Sequence, residues 1–207
     1  MDELRLCLVT DRHQTRGRDL VSLVGDCVAA GLPSVQVREK DLGAAALAAL
    51  CRRLQAVTLP GLIIVNDRVD VALAIGAGGM QRSSTSLSVR DVRQIVKTSL
   101  YIGASVHSLE ESIEAEAEGA DWLTFGPVYD TPSKRGYGAP QGLIALERVA
   151  RAVTIPVIAI GGITPERVAE VRAAGAHGVA AISAILSAES ASEAVRRFLD
   201  ALEQTKR

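Results

Sequence analysis

Short apolar runs alternate with longer Ala- and Leu-rich segments along the whole of this 207-residue chain. Apolar runs of this kind suit strands that are buried on both faces, and the longer segments carry apolar residues at helical spacing. We predict strands over residues 4–9, 34–38, 62–65, 78–81, 100–104, 121–125, 156–160 and 178–185. Eight strand-then-helix units without a long linker predict an α/β protein, a single (β/α)8 TIM barrel domain over residues 1–207.

The composition excludes several classes of protein. Apolar residues make up 48% of the chain and the formal net charge is -1, which excludes disorder and gives no electrostatic case for nucleic acid or an anionic membrane. No apolar run reaches the ~20 residues of a membrane span, and the N-terminus lacks a signal-peptide pattern. We therefore expect a cytoplasmic protein. The sequence is silent on oligomeric state and is compatible with a homodimer.

A glycine turn follows the seventh predicted strand. Gly161 and Gly162 separate that strand from Thr164 and Pro165, which are typical first residues of a helix. A strand end, a glycine turn and a helix N-terminus together favour an anion, although a simple tight turn would have the same sequence. Loops after strands 7 and 8 commonly form the phosphate site of such barrels. We therefore pair Gly162 with Ser183 as a site for a monophosphate.

Polar and cationic residues alternate at the end of the second predicted strand. Gln36, Arg38 and Lys40 would point to one face if the strand continued through them. Two cations that converge inside a barrel mouth require an anion. The alternative is that all three residues form a solvated edge.

Two further segments suit phosphate chemistry. Asn66 and Asp67 supply hard oxygen ligands suited to Mg²⁺, although Asp67 could equally cap the next helix. Thr131, Ser133 and Lys134 lie in a glycine-bearing loop between residues 126 and 141, where hydroxyls and an ammonium group would contact phosphate. The alternative for that loop is a solvated segment without a ligand.

Ser105 and His107 follow the fifth predicted strand. His107 could act as a general acid or base, or it could hold a loop by hydrogen bonding. Taken together, these residues indicate two phosphate-type sites, so the enzyme would join or exchange two phosphorylated small molecules.

The motifs resemble one superfamily over nearly all of the chain: the thiamine phosphate synthases and the TenI-like thiazole tautomerases. The matching stretches are residues 8–11 (LVTD), 35–40 (VQVREK), 65–68 (VNDR), 102–107 (IGASVH), 126–134 (GPVYDTPSK), 158–163 (IAIGGI) and 181–185 (AISAI). The resemblance implies a transferase of thiamine biosynthesis, which joins a hydroxymethylpyrimidine pyrophosphate to a thiazole phosphate and releases pyrophosphate.

The resemblance also implies residue roles. The pyrimidine pyrophosphate would be held by Gln36, Arg38, Lys40 and Asn66. The pyrophosphate would be contacted, or helped to leave, by Ser105, Thr131, Ser133 and Lys134. The thiazole phosphate would lie against Gly162, Ile182 and Ser183. Asp67 would bind Mg²⁺. The candidate catalytic residues are Arg38 and Lys134 for a synthase and His107 for a tautomerase.

One departure from the family pattern bears on the activity. The second Mg²⁺ carboxylate of the synthases would fall at Ser86, and the His-Leu-Gly-Gln signature before it reads QRSS over residues 81–84. This weakens the case for Mg²⁺ and favours the tautomerases, which use a His at the position of His107. The retained Lys40, Asp67 and Lys134 favour the synthase, which we prefer. A third alternative is a regulatory protein that binds a phosphorylated ligand without catalysis.

Overall fold

The computed structural model, which describes residues 2–58, 62–131 and 139–205, is a closed barrel of eight parallel strands in chain order. The strands are β1 Leu6–Val9, β2 Ser34–Val37, β3 Leu62–Asn66, β4 Gly79–Arg82, β5 Tyr101–Val106, β6 Trp122–Phe125, β7 Val157–Ile160 and β8 Gly178–Ala181. The barrel closes where β1 pairs with β8, through the register Cys7↔Ala180. The predicted barrel is therefore confirmed.

Helices form the layer outside the barrel and bury their apolar faces against the strands. Within the described residues they are α1 Leu20–Ala29, α2 Ala44–Gln55, α3 Val69–Ile75, α4 Val89–Val96, α5 Leu109–Ala117, α6 Gly142–Ala152, α7 Val168–Ala173, α8 Ser183–Leu186 and α9 Ala191–Gln204. None of these described helices combines the length and apolarity needed to cross a membrane.

All eight strands differ from the predicted ranges at one end or both. β5 continues to Val106, so Ser105 lies within the strand and does not follow it as predicted. Three other boundaries bear on the fold and the site. β1 begins at Leu6 because Asp2–Arg5 form a 3-10 turn. β2 ends at Val37, so Arg38 and Lys40 lie beyond the strand and the alternation argument does not place them on one face. β8 ends at Ala181 because Ile182 leaves the extended region, with φ -115° and ψ -88°, and α8 begins at the next residue.

Trp122 fills the interior of the barrel, as the sequence indicated. Its side chain is 1% exposed and packs with inward-facing residues of other strands, among them Cys7, Ile64 and Ile158. The indole lies against Gly103, where a Cβ atom would come within 2.1 Å of the ring. Side chains therefore fill the interior of the barrel around Trp122. Within the barrel, a ligand can bind only at the mouth, which is the end formed by the carboxyl ends of the strands.

Candidate functional site

A chain of polar side chains crosses the barrel mouth from β2 to β3. Gln36 is buried and its Nε2 donates to Asn66 Oδ1 at 3.0 Å. Asn66 Nδ2 donates in turn to Asp67 Oδ2 at 2.9 Å. These bonds fix both amide orientations, so the end of β3 presents a carboxylate whose position is set by its neighbours.

Ser86 contacts the same carboxylate. Asp67 Oδ1 accepts from the backbone N–H of Ser83 at 2.8 Å and from the hydroxyl of Ser86. Asp67 itself has φ +60°, which an Asp tolerates better than most residues. The serine-rich loop after β4 is thus anchored on Asp67, and Ser86 lies where a second carboxylate would face it.

The donor set allows only a sparse metal site. A carboxylate oxygen has two lone pairs, so Oδ1 of Asp67 is saturated by two donors while Oδ2 keeps one lone pair. No cluster of three His, Cys, Asp or Glu side chains exists among the residues that the structure describes. One protein carboxylate suffices for Mg²⁺ when substrate phosphates and waters supply the other ligands.

Neighbouring carboxylates are engaged elsewhere. Asp70 pairs with Arg68, whose Nε donates at 2.9 Å. Asp91 accepts from the hydroxyl of Ser88 at 2.7 Å, at the N-terminus of α4. Both of these carboxylates are engaged by their own neighbours, whereas Asp67 Oδ2 keeps a lone pair beside the buried amides of Gln36 and Asn66.

A second hydrogen-bonded group of polar side chains lies at the mouth on β4, β5 and β6. Gln81 is buried, and its Nε2 donates to Ser105 Oγ at 3.0 Å while its Oε1 accepts from Trp122 Nε1 at 3.0 Å. Thr124 Oγ1 also donates to that oxygen, at 3.3 Å. Ser105 is thus oriented by Gln81. Gln81 was not among the site residues predicted from the sequence. The signal that could have identified it is a polar residue at an inward position of a predicted strand.

Arg38 and Lys40 lie in the loop after β2. Arg38 is half-buried and Lys40 is exposed. The backbone N–H of Arg38 donates to the buried hydroxyl of Thr10 at 2.9 Å, which ties this loop to the end of β1. Neither cationic side chain has a hydrogen-bond or ion-pair partner among the described residues. Both charges are therefore available to a ligand.

The glycine turn after β7 is held by the segment that follows β6. Gly161 and Gly162 have φ values of +98° and +64°. A Cβ atom at Gly162 would come within 2.8 Å of the Asp130 carbonyl oxygen and of Tyr129 Cβ, so both backbone shape and space demand glycine. The N–H of Gly162 has no acceptor among the described residues.

Ile182 and Ser183 lie beside this turn. β7 and β8 are neighbours with the register Ile160↔Ala180, so the residues that follow the two strands are adjacent. Ser183 is the exposed first residue of α8. The turn and Ser183 thus place backbone N–H groups and a hydroxyl side by side, an arrangement suited to a small anion. That Gly162 and Ser183 bind a monophosphate stays a prediction.

Tyr129 joins the loop after β6 to the glycine turn. Its N–H donates to the Gly161 carbonyl at 3.0 Å, and the Arg167 guanidinium lies 4.3 Å from the centre of its ring. Arg167 also donates to the Gly162 carbonyl at 2.6 Å. Burial, together with the hydrogen bond to Glu170, raises the pKa of the Tyr129 hydroxyl, which stays neutral.

His107 lies in the mouth after β5 and is half-buried. Its Nδ1 is hydrogen-bonded to the Gly126 carbonyl, and its backbone N–H donates to Glu111 Oε2 at 2.6 Å. A carbonyl oxygen only accepts, so Nδ1 carries a proton; in the neutral imidazole this leaves the Nε2 lone pair for another partner. Thr131 is half-buried at the end of the described loop. The predicted phosphate ligands Ser133 and Lys134 lie outside the described residues.

Comparison with known proteins identifies the family. The family model described as thiamine monophosphate synthase matches residues 6–185. The chain belongs to this family. A "Thiamine-phosphate synthase" of Methanoculleus marisnigri is 40% identical over 97% of this chain and 96% of its own length. Another, from Roseiflexus castenholzii, is 39% identical over 95% of this chain and 87% of its own length.

A solved structure of the thiamine monophosphate synthase family has the same fold. The chain titled "Thiamine phosphate pyrophosphorylase from Pyrococcus furiosus" superposes with a TM-score of 0.91 at 35% identity, covering 100% of this chain and 98% of its own. The superfamily membership predicted from the motifs is therefore confirmed.

Proposed function

We propose that this protein is a thiamine-phosphate synthase, which joins a hydroxymethylpyrimidine pyrophosphate to a thiazole phosphate. The observation that carries the proposal is the near full-length similarity to proteins of that name. The site adds support, because one barrel mouth holds two groups suited to anions. One comprises Arg38 and Lys40 after β2, whose side chains have no partner among the described residues, and the other is the turn after β7.

The pyrimidine pyrophosphate would bind on the β2–β3 side. Arg38 offers a planar fork and Lys40 a point charge, which suit phosphate oxygens in different ways. Gln36 and Asn66, already oriented by their mutual bond, would contact the pyrimidine. The ligand would thus be held at its charged end and at its ring.

Bond cleavage moves negative charge onto the pyrophosphate, and groups fixed near that charge lower the barrier. Arg38 and Lys40 would supply such groups, as would Ser105, Thr131, Ser133 and Lys134 if the family roles hold. Asp67 would hold Mg²⁺ through Oδ2. Bound there, the ion would neutralise part of the charge on the departing group.

The thiazole phosphate would bind on the opposite side of the mouth. The Gly162 N–H and the Ser183 hydroxyl would receive its phosphate, and Ile182 would contact its apolar part. The thiazole nitrogen would then attack the pyrimidine carbon from which pyrophosphate departs. Both substrates must therefore be bound together before cleavage.

Incubating the protein with both substrates should yield thiamine phosphate and one equivalent of pyrophosphate, measured by chromatography with and without Mg²⁺. Lack of product at high enzyme concentration in both conditions would refute the proposal. Thermal stabilisation by thiazole phosphate without turnover in any assay would instead favour a binding protein.

A thiazole tautomerase is the second candidate, and His107 is the observation that favours it. Its Nε2 lone pair could remove a proton from a thiazole carboxylate phosphate. We expect His107→Asn to separate the two activities, because the amide can donate to Gly126 in place of Nδ1 but provides no base. A synthase would keep most of its turnover in this variant, whereas a tautomerase would lose it at every Mg²⁺ concentration.

We also propose a reducing, cytoplasmic site of action. Cys7, Cys27 and Cys51 are free and buried, as is usual in such compartments. Burial raises the pKa of the Cys7 thiol to about 11, which keeps it unreactive.

A further inference from the structure

Four consecutive charges follow β2: Arg38, Glu39, Lys40 and Asp41. Opposite charges this close in sequence would ordinarily neutralise each other within the loop. A pyrophosphate would then have to displace the two carboxylates before it could pair with the cations. The structure shows a different pairing, which depends on a residue of another loop.

Arg12, in the turn after β1, takes both carboxylates. Its Nη1 donates to Glu39 Oε2 at 3.1 Å and to Asp41 Oδ1 at 2.8 Å, and its Nη2 bonds Asp41 Oδ2. Its backbone N–H is shared between the two oxygens of Glu39, at 3.1 and 3.2 Å. One guanidinium and one amide thus hold two negative charges.

The ion pair between Arg12 and Glu39 is stabilised by the burial of the Glu39 side chain. The Glu39 side chain is 1% exposed, whereas Arg12 is 33% exposed. A buried carboxylate needs a partner. Within the part of the chain that the structure describes, Arg12 contributes every hydrogen bond to the Glu39 carboxylate. The hydrogen bond from Arg12 also lowers the pKa of Asp41 to about 2, so this carboxylate is ionised at neutral pH.

This pairing leaves the two cations that alternate with these carboxylates, Arg38 and Lys40, without a carboxylate from their own loop. Arg38 and Lys40 keep no ion-pair partner among the described residues. We propose that Arg12 is a positioning residue for pyrophosphate recognition: it sequesters Glu39 and Asp41 so that Arg38 and Lys40 remain unpaired for the anion. The inference rests on the proposed function for its choice of pyrophosphate as ligand.

The test is the affinity for inorganic pyrophosphate, measured by calorimetry at low ionic strength without substrate turnover. Arg12→Met keeps the aliphatic stem and the backbone amide but removes the guanidinium, so Asp41 loses its Arg12 bonds and Glu39 keeps only the backbone N–H. We expect about tenfold weaker binding. The triple variant Arg12→Met/Glu39→Gln/Asp41→Asn removes the released charges, so binding should return to within about threefold of the parent. Arg53→Met is the matched control, since Arg53 pairs with Asp19 on the outer surface.

Recovery of the pyrophosphate affinity in the triple variant distinguishes charge sequestration from a merely structural role of Arg12. If Arg12 only stabilised the loop, the two added substitutions would disturb the loop further and the affinity would not recover. Equal affinity in Arg12→Met and the parent, or failure of the triple variant to recover, would overturn the inference. So would a parent that does not bind pyrophosphate. If Arg12→Met does not fold, Arg12→Lys replaces it, because a lysine can hold only one carboxylate firmly; Asp41→Asn should then restore the affinity that Arg12→Lys loses.

One result would be a parent protein that binds pyrophosphate, with the loss in Arg12→Met and the recovery in the triple variant, and yet makes no thiamine phosphate. That result would refute the proposed function but not the role of Arg12. Conversely, synthase turnover with unchanged pyrophosphate affinity in Arg12→Met would remove only this inference. The two failures therefore have different signatures.

Discussion

The hydroxyl of Ser86 occupies a lone pair of the carboxylate that we predict to bind Mg²⁺. Replacing this donor with a second carboxylate, Ser86→Asp, should raise the affinity of the free protein for Mn²⁺, used as a Mg²⁺ analogue, by about tenfold. Without metal, two carboxylates this close disfavour joint ionisation. The variant should therefore unfold at lower urea concentration in EDTA than in Mg²⁺.

Ser86→Ala is the control for Ser86→Asp, because it removes the same donor without adding charge. Its metal affinity should stay within about threefold of the parent. Equal Mn²⁺ affinities for Ser86→Asp and Ser86→Ala, by calorimetry, would show that the position does not face a metal at Asp67.

Sequence reasoning at this scale found residues that follow strands and missed those that act through distant partners. Asp67 stood out because a carboxylate directly followed an apolar run. Arg12 did not, because its partners Glu39 and Asp41 lie 27 and 29 residues away and only the adjacency of β1 and β2 brings them together. Such contacts between loops can be predicted only when the neighbouring strands and their register are known.

At the scale of elements, the inward face of β5 must leave room for the indole of β6. A Cβ atom at Gly103 would lie 2.1 Å from the Trp122 ring and 2.4 Å from Gln81 Oε1. We expect Gly103→Ala to lower the free energy of unfolding by about 3 kcal/mol, the upper part of the usual range for overpacking. Urea denaturation followed by Trp122 fluorescence measures the change.

Gly25→Ala in α1 is the matched control for Gly103→Ala. Its new methyl group would meet Val57 at an ordinary 3.6 Å. Ala is also the better helix former, so stability should stay equal or rise by up to about 1 kcal/mol. Similar losses in both variants would contradict the packing argument.

Element boundaries were the part of the fold that periodicity could not supply. An apolar run continues through residues 178–185, yet the strand ends at Ala181 and α8 begins at Ser183. A buried strand and a buried helical turn both appear as apolar residues. Likewise, β2 ends before Arg38, and nothing in the alternation of polar residues marks that end.

At the scale of the whole molecule, the unit count was enough to predict a closed barrel, and closure determines how the two anion groups face each other. In the eight-strand ring, β2 and β3 lie three and four strands from β7. This puts Arg38 and Lys40, together with Asp67, across the mouth from Gly162. The sequence listed both groups but not this separation. Two separate sites can be filled together, and an enzyme that joins two substrates requires this.

Simultaneous binding can be measured as additive stabilisation. Each ligand at 100 times its dissociation constant should raise the free energy of unfolding by about 2.7 kcal/mol. Thiazole phosphate and Mg²⁺-pyrophosphate together should therefore give about twice that increment in urea titrations, because neither ligand excludes the other. Gly162→Ala should abolish only the increment from thiazole phosphate, since its Cβ atom would collide with the Asp130 carbonyl. If the combined increment equals that of the stronger ligand alone, the two anions compete for one site, and the arrangement of substrates across the mouth is wrong.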